Sequence, residues 1–200
     1  MAVPSGWATA HDYDWVSDWA GLGYCVTLVE HLSPDVALRR IVTDPRTAMS
    51  TAEIVRQWVA EGVYPEPRSS IEAATLGDWT VVVEEGFLAS IPSVMRRLAA
   101  GSRALAMYRN VNAVMSLVWA VDGAIVRWFD PLLVDDRFGE PQAEEAGLPF
   151  GEPDLAEAAM FACGERLTSV RLTEAFLDDR LAWVAVGHDW MASSQHESYD

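Results

Sequence analysis

The chain contains no lysine: all 14 basic residues are arginine, set against 30 aspartates and glutamates in 200 residues. That absence excludes a Schiff-base lysine, a lysine general base and a phosphate loop of the GxxxxGK type. Cysteine is nearly as scarce. Cys25 and Cys163 each lack a second cysteine or a histidine at ligand spacing, so neither a disulfide framework nor a zinc motif is written here, and both read as small buried hydrophobes. No apolar run approaches the ~20 residues of a spanning helix. The longest, around Val111 to Val121, is broken by Asn112 and Ser116. Met1 to His11 carries neither a basic nor an apolar leader segment, which points to the cytoplasm. The motifs GxSxG, GxGxxG, HExxH and CxxC are all missing.

Histidine offers little more. Of His11, His31, His188 and His196, only the last two are near each other, and a site built with Asp189 and Glu197 would sit on a polar tail with little preorganisation. No metal and no cofactor are expected. His31, between a strand and a capped helix, suits a solvated or a catalytic loop histidine equally. The net charge of −16 repels nucleic acid and anionic lipid and favours a basic partner. Colloidal solubility is its simplest role; imitation of DNA by an ordered acidic ridge is the second alternative.

What is present is apolar: half of the residues are hydrophobic, enough for a sizeable core without staples. Trp15 and Trp19, four apart, predict a short helix in an N-terminal arm over residues 1–23. Tyr24 to Glu30 (YCVTLVE) and Trp79 to Val83 (WTVVV) read as buried strands. Ser33-Pro34-Asp35 opens a helix with an N-cap and an N1 proline. Ser50 and Glu53 form a capping box ahead of the stripe Ile54, Val55, Trp58, Val59. Another helix carries Val94, Met95 and Leu98 and stops at Gly101. Asp122-Gly123 is a type I′ hairpin signal, which predicts pairing of Trp119 with Val126 and Leu117 with Trp128. On that register Trp128 faces the core, and Arg127 and Phe129 face the other way.

Residues 130–154 form a long acidic loop, functional or mobile by its length. Leu155, Ala158, Ala159 and Ala162 then give a small-residue helical stripe, Thr173 caps a shorter helix, and Leu181 to Val186 adds a strand. The expected architecture is a two-layer α+β sandwich, a mostly antiparallel sheet of four to five strands with helices on one face. It spans residues 24–186 as one domain, with a polar tail at 187–200.

Candidate chemistry gathers where strands end. Glu84 and Glu85 close one strand, Arg109 and Asn110 another, and Asp130 a third, so these residues with Asn112 could meet at one rim as a ligand or interface site. Strand-end ion pairs and Asn-to-backbone bonds explain them equally simply. No catalytic residue is assigned. The nine tryptophans exceed what such a core needs; Trp79, Trp119 and Trp128 read as buried, whereas terminal ones could anchor a partner.

The blocks GDWTVVVEEGF (Gly77 to Phe87), SIPSVMRRLAAGSRA (Ser90 to Ala104), RNVNAVMSLVWAVDG (Arg109 to Gly123) and WFDPL (Trp128 to Leu132) resemble an uncharacterised actinobacterial family catalogued as a domain of unknown function. Tyr24 to Ile41 is similar to its opening block. The resemblance implies a single cytoplasmic domain and supplies no reaction; Thr43 to Ile71 stands out as an insertion. The expected function is a non-catalytic protein-binding module of the immunity, anti-toxin or defence-accessory kind, with a basic protein as its partner. The alternative is a small enzyme or ligand-binding protein using the rim carboxylates with Arg109 and Asn112.

Overall fold

The computed structural model describes residues 4, 6–19, 21, 23–41, 49–50, 71–84, 86–133, 137–179 and 184–186. The helix expected after Ser50, Glu85 and the His188/His196 tail lie outside them. Nine strands among these residues form one antiparallel sheet: β1 (Tyr24–Glu30), β2 (Met49–Ser50), β3 (Ile71–Leu76), β4 (Trp79–Glu84), β5 (Arg103–Arg109), β6 (Met115–Val121), β7 (Ala124–Phe129), β8 (Arg137–Phe138) and β9 (Val184–Val186). Their order is β2-β9-β3-β4-β1-β5-β6-β7-β8. The α+β class holds, but the strand count exceeds four to five. β3 was not expected, because IEAATL has neither β-branched enrichment nor alternation; its pairing with β4 makes it a strand.

The helices are α1 (Val16–Trp19), α2 (Pro34–Ile41), α3 (Pro92–Leu98), α4 (Ala156–Thr168) and α5 (Glu174–Asp178). They cover both faces of the sheet, which corrects the two-layer expectation to three layers. On one face Tyr24, Val26, Leu28, Leu105, Met107 and Leu117 pack under α4 and the N-terminal arm. On the other, Cys25, Val29, Val82, Ala106 and Val118 pack under Leu38 of α2 and Met95 of α3. The reason is written in the strands: Tyr24 to Val29 is buried on both sides, a continuous apolar run that one helical layer cannot cover.

α4 approaches closely because its sheet-facing positions are small. A Cβ on Gly164 would come within 2.9 Å of the Met107 sulfur and 3.1 Å of a Leu105 methyl. The arm packs beside it: its Tyr13 and Trp15, together with Tyr24 of β1, each meet the Phe161 ring at 5.7–6.0 Å between centroids. Such aromatic pairs add about 0.5–1.5 kcal/mol each beyond their buried area.

The β6–β7 hairpin departs from its expected register. Val121 does face Ala124, but a bulge at Trp119/Ala120 sets Trp119 opposite Arg127, Val118 opposite Trp128 and Leu117 opposite Phe129. One extra residue, Val126, therefore turns Arg127 and Phe129 into the core and Trp128 out of it, the reverse of the simple hairpin. Gly139 secures the bulge. Its φ is +81°, and a Cβ there would collide with the Val126 carbonyl oxygen. Gly139→Ala is expected to cost more than ~1 kcal/mol in urea unfolding; a smaller loss would mean that the bulge is not held this way.

Candidate functional site

The rim formed by the end of β4, the start of β1, the end of β5, the start of β6 and the end of β7 does gather Glu84, Arg109, Asn110, Asn112 and Asp130, but the sheet divides them. Tyr24 and Cys25 pair with Arg109 and Tyr108 across β1/β5, and Cys25 pairs with Glu84 across β1/β4. Adjacent residues on a strand point to opposite faces, so Glu84, Cys25 and Tyr108 share the α2/α3 face while Arg109 and Tyr24 share the α4 face.

On the α4 face Arg109 Nε lies 3.4 Å from a Glu157 oxygen, and the Tyr24 hydroxyl donates to the other at 2.9 Å. Burial raises the Glu157 pKa, against the pull of the Tyr24 bond and of Arg109. Asp130 accepts from the backbone N–H of Met115 at 3.2 Å and of Leu132 at 2.8 Å. Asn110 Oδ1 accepts from the N–H of Asn112 at 2.9 Å and of Val114 at 3.0 Å. Asp130 and Asn110 thus fasten strand ends, and Asn112 lies exposed in the β5–β6 turn.

Glu84 differs from these. It is 2% exposed; Oε1 accepts from the Ala89 N–H at 2.7 Å, and Oε2 is buried without a hydrogen-bond partner. Desolvation pushes its pKa up to about 7, against the backbone N–H groups of Ala89 and Leu88 and the Cys25 thiol. Gly86 sits directly against the open oxygen, where a Cβ would stand 2.9 Å from Oε2. The neighbouring Cys25 thiol is raised well above its usual value, first by burial and then by the Glu84 charge, which makes it an inert thiol.

Two features escaped the sequence reading. The first is a buried ion pair: Arg127, 2% exposed, donates from Nε and Nη2 to the two oxygens of Glu145, each at 2.8 Å. Its Nη1 donates to the carbonyls of Phe138 (3.2 Å) and Gly139 (2.6 Å). Arg137 joins at 3.7 Å from Glu145, its guanidinium over the rings of Phe129 and Phe150. This cluster pins residues 137–150 of the acidic loop to the sheet. Only the bulge could have disclosed it.

The second is an apolar strip. Phe87, Val114, Trp128 and Phe138 keep between 45% and 58% of their surface exposed. Trp128 pairs with Phe138 across β7/β8 and donates from Nε1 to the Ser116 hydroxyl at 2.8 Å; Ser116 pairs with Tyr108, on whose ring Phe87 rests edge-on at 6.4 Å. These side chains lie on the α2/α3 face of the sheet and stay open to solvent. Trp128, expected in the core, lies outside it because of the bulge.

Among the described residues no cluster of three or more His, Cys, Asp or Glu is placed to hold a metal ion, and no helix is long and apolar enough to cross a membrane. No curated protein and no solved structure matches the chain. A family model does, over residues 6–186, and the chain belongs to that family, a family of unknown function (DUF6461).

Proposed function

We propose, membership of a family without an assigned activity leaving the site as the guide, that this protein is a non-catalytic binding module. Its strip Phe87–Val114–Trp128–Phe138 docks a basic protein. The observation that carries this is the strip itself: four large apolar side chains, three of them aromatic, half exposed on one face and linked through Ser116 and Tyr108, where isolated exposed apolar residues are the rule. Charge names the occupant. The chain is at −16, and a carboxylate free of backbone duties, Glu140, follows the outward Phe138 ring two residues later. An arginine or lysine of the partner gains both a carboxylate and the face of Trp128, while its apolar residues cover the strip.

The rim chemistry favours this over an enzyme. Arg109 and Glu84 lie on opposite faces, and Asp130 and Asn110 spend their oxygens on backbone N–H groups. An immunity, anti-toxin or defence-accessory role in the cytoplasm is the setting that a small acidic binder fits.

Capture from native extract, followed by calorimetry with the purified partner, tests it. A stoichiometric basic protein should bind the wild type, weaken as salt rises, and lose at least about tenfold in affinity with Trp128→Ser/Phe138→Ser. It should be retained by Arg109→Ala/Asp130→Ala. Retention by the strip variant, or a small molecule lost only with the Arg109/Asp130 variant, overturns the reading.

A further inference from the structure

Glu84 is a buried acid wrapped by the segment that presents one of the strip's rings. Its Oε1 takes the Ala89 N–H, Gly86 closes over Oε2, and Phe87 lies between them in sequence with its ring against Tyr108. Among the described residues the groups facing it are few. β1 contributes the Cys25 thiol, β5 the Tyr108 hydroxyl, β3 the apolar Ile71, and the 88–90 turn its backbone N–H groups. No described arginine or histidine contributes to its field. With no counter-charge among the described residues, this fully buried carboxylate is tolerated as the neutral acid and is driven towards water once ionised.

We infer that Glu84 is a proton-operated latch on the docking strip: as the neutral acid it holds the 86–91 turn and sets Phe87 against Tyr108, and as the carboxylate it lets that turn open. The inference rests on the docking reading for its purpose, but not for its physics. The closed turn, having the higher proton affinity, is favoured in acid and loosens as pH rises from about 5 towards 7, where the Glu84 titration centres. Within the turn the backbone bonds are local, Ser90 N–H to Phe87 carbonyl and Ile91 N–H to Leu88 carbonyl, both at 3.0 Å; Ala89 also packs in the apolar cluster beside Cys25, and the Glu84 carboxyl adds the bond that fastens the Ala89 N–H to β4.

Amide hydrogen exchange on the full chain between pH 5 and 7.5, corrected for intrinsic rates, tests this. Protection of the Ala89 N–H should fall at least about tenfold over that range while the Leu105 and Met107 amides of β5 keep theirs. In Glu84→Gln the Ala89 profile should be flat. Constant Ala89 protection in the wild type overturns the latch, and that profile alone decides if the variant folds poorly. The same scan on Trp128→Ser separates the two readings. If Ala89 still titrates but the strip variants keep the partner, docking fails and the titrating turn stands; if Ala89 is flat and the strip variants lose the partner, the latch alone fails.

Discussion

Glu145→Gln is expected to lower the unfolding free energy by about 3–5 kcal/mol, the cost of leaving a buried guanidinium without its counter-charge. Arg127 has nowhere else to go. It is 2% exposed, and its other two bonds run to the Phe138 and Gly139 carbonyls, dipoles that cannot replace a carboxylate. Arg137, 3.7 Å from the same carboxylate, would add like-charge repulsion once Glu145 is neutral. Urea unfolding gives the value, and the β8 amides should lose exchange protection first. Replacing both partners by apolar residues, Arg127→Met with Glu145→Leu, should recover most of the loss, since the fully buried charge is then gone and the only one left unpaired is Arg137, whose side chain keeps 20% of its surface in water. A loss below about 1 kcal/mol for Glu145→Gln would mean that water reaches the guanidinium.

Glu84→Gln should do the opposite, and only on one side of the pH scale. With the folded-state value near 7 and an ordinary unfolded value near 4.5, the folded protein holds an extra proton between them, so this group removes stability as pH rises through that window. The total is about 3 kcal/mol. Below pH 4 wild type and variant should unfold within ~1 kcal/mol of each other, both neutral at this position. By pH 8 the variant should be the more stable by about 3 kcal/mol, because its amide oxygen still accepts from Ala89 without a charge to desolvate. Guanidinium unfolding of the pair at pH 4, 6 and 8 checks it; a difference independent of pH would show that Glu84 does not titrate in this window.

The parts of the fold legible in the sequence were those set by local chemistry. Pro34 at a helix start, Thr173 capping Phe176 at 3.2 Å and the Asp122-Gly123 turn all act within a few residues, and each stands where its chemistry puts it. Tertiary placement was less legible. The second helical layer follows from Cys25 and Val29 being as deeply buried as Val26 and Leu28, and a run apolar on both sides does not say what covers each side. Strand endings place Glu84, Arg109 and Asp130 towards one end of the sheet, but not which face each takes: pairing puts Glu84 with Cys25 and Tyr108, and Arg109 with Tyr24 on the opposite side. Arg127 was the hardest. Nothing in AIVRWF announces an extra residue, and on an unbulged hairpin that arginine belongs in water.

That extra residue has a consequence for how such chains can diverge. Arg127, Trp128 and Phe129 change faces together, so the outward ring and the inward guanidinium are read in a single frame set by Val126. A one-residue deletion ahead of Arg127 would at once bury the tryptophan that faces solvent and expel the arginine that anchors residues 137–150. Relatives should therefore keep the length of this hairpin more strictly than the identity of its side chains, and a member that shortens it should have lost the aromatic strip and the buried pair in the same step.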